Sequence, residues 1–270
     1  MRKSIWLLSA GLAAFSVPAF AQNTTDQPST PVEAASVDTA EQAAEADDQN
    51  AIVITATRRS EALSDVPLAV SAVTGDTLKN SGASDIRGLV QVSPSLLVTS
   101  TSSEAGAGVA RIRGVGTVGD NAGLESSVAV FIDGVYRSRT ATGLTEHGPV
   151  DRIEVLRGPQ GTLFGRNASA GLIHIITAKP KFQREVYGEA TIGNFNLRRI
   201  EGGVNAPLSD SIAVRLDGVF QKRDGFLKDV ISGDRVNDRN RWMLRGQLLY
   251  QPSDNLSVRL IADYTKRNEE

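Results

Sequence analysis

Ile153-Glu154-Val155-Leu156-Arg157-Gly158-Pro159-Gln160-Gly161-Thr162-Leu163-Phe164-Gly165-Arg166-Asn167 is followed closely by Gly171-Leu172-Ile173-His174-Ile175-Ile176-Thr177. Arg152–Leu156 predicts a strand that stops at Arg157-Gly158-Pro159, because proline brings no N–H and cannot continue a ladder. Glycines then form a turn, and the β-branched run Leu172–Thr177 predicts a second strand. Working outward, Val109–Arg113 and Val128–Ile132 also read as strands. Asp133-Gly134, set between Val130-Phe131-Ile132 and Val135-Tyr136, is a two-residue hairpin signal. Further upstream, Val66–Val73 reads as a strand entered through Pro67. Ser84 is a plausible N-cap for one short helix, with Ile86, Leu89 and Val90 on one face and Pro94 as its stop. The sum is a small α+β domain with many loops, assigned to residues 60–180.

Beyond Lys179-Pro180 the pattern changes to long strands of period two. Ile212, Val214, Leu216 and Phe220 alternate with Arg215, Asp217 and Gln221. Trp242, Leu244, Leu248 and Tyr250 alternate with Arg245, Gln247 and Gln251. Leu256, Val258, Leu260 and Tyr264 alternate with Arg259, Asp263 and Thr265. Weaker versions lie around Val186–Ile192 and Ile200–Leu208. Segments of about 10 residues with one apolar and one charged face suit a membrane β-barrel. A soluble antiparallel sheet has the same period, so the connections carry the choice. Pro207-Leu208-Ser209-Asp210 and Pro252-Ser253-Asp254-Asn255 are tight turns, and Lys222–Asn240 between them is a long polar loop. Short turns on one side and a longer loop on the other fit the two sides of an outer-membrane barrel. Residues 181–270 are therefore assigned to antiparallel strands of an incomplete transmembrane β-barrel.

The N-terminus reads as an export signal over residues 1–21. Arg2 and Lys3 precede an uncharged apolar run, Ile5–Val17, and Ala19-Phe20-Ala21 supplies a small-x-small cleavage site. The run is too short for a bilayer-spanning helix, which needs about 20 residues. Residues 22–50 are polar, their charges all acidic, and they have almost nothing to bury; they are expected to be a disordered linker. At residues 51–59 the character turns uncharged and β-branched, as Ile52-Val53-Ile54-Thr55-Ala56, ahead of Arg58-Arg59.

Taken together these features resemble TonB-dependent outer-membrane receptors. The Ile153–Asn167 and Gly171–Thr177 stretches are similar to the family's plug signature. Arg111-Ile112-Arg113-Gly114-Val115-Gly116 and the Val130–Val135 hairpin match the same family in the expected order, and Ile52–Ala56 resembles its TonB box. The resemblance implies a plug enclosed by a barrel and ligand binding from outside. It also implies coupling to the inner-membrane protein TonB, which a proton-driven motor complex powers. An extended, uncharged, β-branched peptide suits that coupling because it can add as a strand to a partner's sheet edge. The same five residues also read as the first internal strand of the plug. Arg113 and Arg157 match the family's plug-to-barrel anchors, and their carboxylate partners are expected in later strands. They also read as caps of turns within the plug.

The implied function is energy-coupled uptake at the cell outer membrane of a scarce nutrient, an iron–siderophore chelate foremost, with cobalamin or oligosaccharide as alternatives. The other class of reading is a soluble periplasmic plug-like binding or adaptor module without transport. No enzyme is expected, since no nucleophile–base constellation assembles. No cofactor or metal site is expected either: cysteine is absent, and His147 and His174 lie in different contexts. A net charge of −2 gives no reason for a nucleic-acid partner; outer-membrane lipid is the expected surround. Gly114-x-Gly116-x-x-Gly119 spells a dinucleotide fingerprint, but the residues after it break helices. Gly161-x-x-x-Gly165 lacks the Lys-Ser/Thr of a phosphate loop. The apex loops Thr99–Gly108, Thr117–Ser127 and Arg137–His147 hold no distinctive chelating cluster. A family barrel has about 22 strands, so the strands present cannot close one.

Overall fold

In a computed structural model, the structure describes residues 52–81, 88–100, 108–116, 125–138, 146 and 148–269. The expected export signal and linker lie outside the described residues, as do Ser84, Ile86, His147 and most of the three apex loops.

The plug is built on a mixed sheet. Its strands are β3 (Val70–Thr74), β6 (Val128–Ile132), β7 (Val135–Arg137), β8 (Val150–Arg157) and β9 (Gly171–Thr177), with α1 (Gly75–Asn80) following β3. They lie in the order β3-β8-β9-β6-β7, and only β6 and β9 run parallel. Two-stranded hairpins flank this sheet: β1 (Val53–Ile54) with β2 (Glu61–Ala62), and β4 (Leu96–Ser100) with β5 (Gly108–Ile112). Two short helical turns complete it, α2 (Leu89–Val92) and α3 (Gly161–Phe164). Period-two alternation sends side chains from one strand into two cores. Val128, Val130, Ile132, Ile153, Val155, Ile173 and Ile175 enter the first, under α1, α2 and the β4–β5 hairpin. Ala129, Phe131, Leu156 and Leu172 enter the second, with Ile54, Ala56, Val66 and Phe164.

The decisive turns follow their sequence. Asp133 and Gly134 have φ of 49° and 81°, the two positive values a type I′ hairpin needs. Gly171 has φ 145°, and a Cβ there would sit 2.2 Å from the Leu156 carbonyl oxygen. Only glycine lets β9 start so close to β8. Three local readings change. The strand read as Val66–Val73 begins at Val70. A helix not read from the sequence, α1, is capped by Thr74, whose side chain accepts the Thr77 N–H. Strand β4 was also not read.

The second sheet is an antiparallel meander: β10 (Glu185–Gly193), β11 (Leu197–Ser209), β12 (Ile212–Arg223), β15 (Arg239–Ser253) and β16 (Leu256–Arg267). A small hairpin, β13 (Leu227–Lys228) with β14 (Arg235–Val236), stands in the long loop between β12 and β15. The β10–β11 turn is short yet lies on the long-loop side, where the Asp224 N–H donates to the Phe195 carbonyl oxygen. The faces of this sheet are inverted relative to a soluble one. Arg199, Glu201, Asn205, Arg215, Asp217, Gln221, Arg241, Arg245 and Gln247 are buried, whereas Ile200, Leu216, Trp242, Leu244, Leu260 and Tyr264 are exposed. Cross-strand register groups the apolar set into one continuous surface, for example Gly218↔Leu244↔Tyr264 and Val214↔Leu248↔Leu260. No described helix is long and apolar enough to cross a membrane; a sheet with an apolar exterior and a polar interior crosses by strands.

Candidate functional site

The segment Ile52–Ala56 lies on the plug, with Val53–Ile54 paired to β2. Its sequence alternation places Ile54 and Ala56 at 0% exposure in the second core, while Val53 points outward at 47%. The Leu63 N–H donates to the Ile52 carbonyl oxygen at 2.9 Å. Beyond Ala56, Arg58 at φ 62° sets its guanidinium over the Phe164 ring.

Thr55, between the two buried residues, meets a charge. Glu154 of β8 is fully buried in the face that this segment covers. Its Oε1 accepts the Thr55 N–H at 2.8 Å and the Arg152 Nε–H at 2.8 Å. The Thr55 hydroxyl lies 3.2 Å from both carboxylate oxygens. His174 of β9 is cross-strand to Glu154, with Nδ1 at 3.6 Å from Oε2 and 3.4 Å from Thr55 Oγ1. Its other nitrogen, Nε2, accepts the Gly134 N–H at 3.2 Å. A ring nitrogen that accepts carries no proton, so this geometry assigns the proton of the neutral ring to Nδ1, toward Glu154. Burial disfavours the Glu154 charge, but the bonds from His174, Thr55 and Arg152 outweigh it and hold the carboxyl below the ordinary glutamate range. The histidine read as a structural strand residue is thus part of a buried polar cluster. Glu154, never singled out in the sequence, is its centre.

The plug meets the polar face of the five-stranded sheet through charged pairs. Arg259 of β16 donates to Asp133 Oδ1 at 3.1 Å and to Thr177 Oγ1 at 2.8 Å, and also bonds Gln247. Asp133 in turn accepts the Thr177 N–H at 3.0 Å and its hydroxyl at 2.7 Å. Gln247 donates to the Ala178 carbonyl oxygen at 2.9 Å, and Arg199 pairs with Glu146 at 2.9 Å. The methyl of Met243 fills the space beside Gly148, whose missing Cβ would otherwise lie 2.3 Å from it.

The two arginines read as anchors stand elsewhere. Arg113 has φ 52° at the end of β5 and an exposed side chain. Arg157 donates from its guanidinium to the carbonyl oxygens of Ala69 and Val70 at 3.2 and 3.3 Å, tying the start of β3 to β8. Among the described residues no group of three or more His, Asp or Glu is placed to hold a metal ion.

Residues 62–172 match the family described as TonB-dependent Receptor Plug Domain. Over that stretch the chain is similar to the plug of TonB-dependent receptors. It is 28% identical over 193 residues to the pesticin receptor of Yersinia pestis, covering 70% of this chain and 27% of that protein. It is 26% identical over 179 residues to the catecholate siderophore receptor Fiu of Escherichia coli K12, covering 65% and 22%. The chain therefore spans about a quarter of the length of these relatives. The ferric yersiniabactin uptake receptor FyuA of Yersinia pestis superposes with a TM-score of 0.64 at 24% identity, over 69% of this chain and 29% of that one. The pyoverdine outer membrane receptor FpvA of Pseudomonas aeruginosa PAO1 gives 0.66 at 20%, over 79% and 30%. The plug and the strands after it thus share the receptor fold, with a barrel that five strands leave open. The relatives are receptors, not enzymes.

Proposed function

We propose that the chain provides the plug and five wall strands of an outer-membrane receptor for energy-coupled uptake of an iron–siderophore chelate. The observation that carries this is the inverted sheet: its charged face is turned to the plug and its apolar face outward. As a soluble adaptor the chain would hold Leu216, Trp242, Leu244, Leu260 and Tyr264 in water as one broad patch; lipid accounts for them. The short turns after β11 and β15 would lie in the periplasm, and the β13–β14 loop outside. The chelate as ligand is supported by relatives named for siderophores, among them the ferric enterobactin receptor of Pseudomonas aeruginosa, 29% identical over 187 residues.

Ile52–Ala56 is the coupling segment in this reading. Only two residue pairs join it to β2, so once Ile54, Thr55 and Ala56 leave their places on the plug it can peel from β2 and add to the sheet edge of TonB. Arg113 and Arg157 would meet carboxylates of further wall strands, a role suited to the arginine fork. The domain limits in this reading are export signal 1–21, linker 22–50, coupling region 51–59, plug 60–180 and wall 181–270.

The test uses the complete receptor carrying this chain in an iron-limited strain lacking its own copy. Restored growth on a catecholate or related siderophore is expected. Val53→Pro should bind the chelate normally and transport none, because proline removes a donor and cannot pair. Normal uptake by that variant sinks the coupling-segment assignment. Growth that ignores the receptor on every chelate offered sinks the ligand class.

A further inference from the structure

We infer that the buried Glu154–His174 pair is a latch joining two separate contacts: the docking of Ile52–Ala56 on the plug, and the hold of the plug on wall strand β16 through Asp133 and Arg259. Its use rests on the receptor reading, but its geometry does not. The connection is continuous. Thr55 donates to Glu154, Glu154 faces the Nδ1 proton of His174, and His174 Nε2 accepts from Gly134. Gly134 is the second residue of the turn whose first residue, Asp133, accepts from both Thr177 and Arg259. The members lie on β8, β9 and the β6–β7 turn, elements joined in one sheet.

Each step has a physical consequence for the next. If the segment leaves, Glu154 loses an N–H and an O–H donor, and the face holding Ile54 and Ala56 opens to water. The His174 ring loses Thr55 on its Nδ1 side and faces a Glu154 carboxylate that the segment no longer positions, so it can rotate and withdraw the acceptor from Gly134. The turn then loses one of the bonds that set the Asp133 carboxylate against Thr177 and Arg259, the Asp133 N–H to the Ile175 carbonyl oxygen being the other. Coupling between two sites is reciprocal, so loosening Arg259 must also loosen the segment.

Glu154→Gln isolates the latch at nearly constant volume. With the amide oxygen kept for Thr55 and Arg152, the amide NH2 faces the His174 Nδ1–H, donor against donor. Shifting the ring proton to Nε2 relieves that clash and creates the same clash at Gly134. Either way one bond in the chain is lost.

The chain contains no cysteine; with any cysteine of the remaining barrel replaced by serine, a nitroxide can be placed on Val53→Cys in the complete receptor, purified in detergent without chelate or TonB. A second label on Leu97→Cys, exposed on β4, reports the integrity of the plug. Glu154→Gln is expected to raise the mobile-to-immobile ratio at position 53 about tenfold, the effect of one lost buried bond to a charge, with position 97 unchanged. Arg259→Ala should raise the same ratio by a smaller factor, and the double variant should fall short of the product of the two. An unchanged position 53 in Glu154→Gln overturns the inference, and so does a double variant whose effects simply multiply. Should Glu154→Gln also mobilise position 97, Arg259→Ala decides alone: an unmoved label at 53 there overturns the latch. A receptor that shows these shifts yet transports no chelate would overturn the functional reading and leave the latch standing.

Discussion

Truncating Ile54 to alanine is expected to undock the coupling segment without unfolding the plug. The side chain is fully buried, packed with Ala56, Val66, Ala129, Phe131, Leu156, Phe164, Ala168 and Leu172. Removing a buried Ile to Ala costs roughly 2–5 kcal/mol. That cost falls on the docked state alone, since the undocked segment exposes either side chain to water. At about 1.4 kcal/mol per factor of ten, the undocked population rises some 30- to several-thousand-fold, until the segment is mostly free. Hydrogen–deuterium exchange reads this at two amides that exist as bonded groups only when docked, Thr55 to Glu154 and Leu63 to the Ile52 carbonyl. Both should lose protection by that factor, while the amides of β8 and β9 keep theirs. Val53→Ala is the internal control. Half exposed, Val53 should cost on the order of 0.5 kcal/mol and change exchange by little more than twofold. Equal losses of protection in the two variants would refute the assignment of Ile54 to the core.

Two further outcomes follow from the same geometry. Leu244→Arg puts a charge in the middle of the apolar exterior and should cost roughly 2–4 kcal/mol if that surface faces the bilayer core; barrel assembly, followed by heat-modifiable gel mobility, should fall sharply, and unaffected assembly would argue against lipid contact. Docking should also weaken in acid. The Glu154 carboxyl, faced by Arg152, His174 and Thr55, titrates below its ordinary value of 4.5 when folded. Its contribution is therefore complete above that ordinary value and is lost as pH falls through the lowered one; a Thr55 amide whose protection stays constant from pH 6 down to the pH at which β8 and β9 themselves lose theirs would contradict this.

Much of the wall was legible because each residue there obeys two demands at once, strand period and opposite polarity of faces. Leu216 beside Asp217 and Leu244 beside Arg245 state both, and the structure turned the polar members inward as a membrane sheet must. The plug was less transparent. Strand β4 hides behind Pro94 and Ser95 and ends in Thr99 and Ser100, so its propensity is weak and its pairing to β5 is what makes it a strand. Helix α1 is short, and its signal, a Thr74 cap with Asp76 in the first turn, precedes a single buried residue, Leu78. At the site, the sequence offered two readings of Ile52–Ala56, coupling peptide or internal strand. The structure gives the segment a strand's place on the plug, which leaves a releasable role compatible with it. Glu154 went unnoticed because its neighbours Ile153, Val155 and Leu156 mark the strand so strongly. The available signal was a carboxylate inside an apolar run with a histidine at the matching place in the next strand.

The plug's contact with the wall is made largely of arginine, carboxylate, amide and hydroxyl groups, whereas its own interior, the Glu154–His174 cluster apart, is aliphatic and aromatic. The two seams respond differently to a mechanical load. Separating the aliphatic layers opens surface that water wets poorly, and that cost persists for as long as they are apart. Sliding the plug along the wall lets water take the place of each broken polar partner in turn, so resistance at any moment comes from the few pairs then breaking. A pulled plug should therefore shear along its lubricated outer boundary before its own layers part.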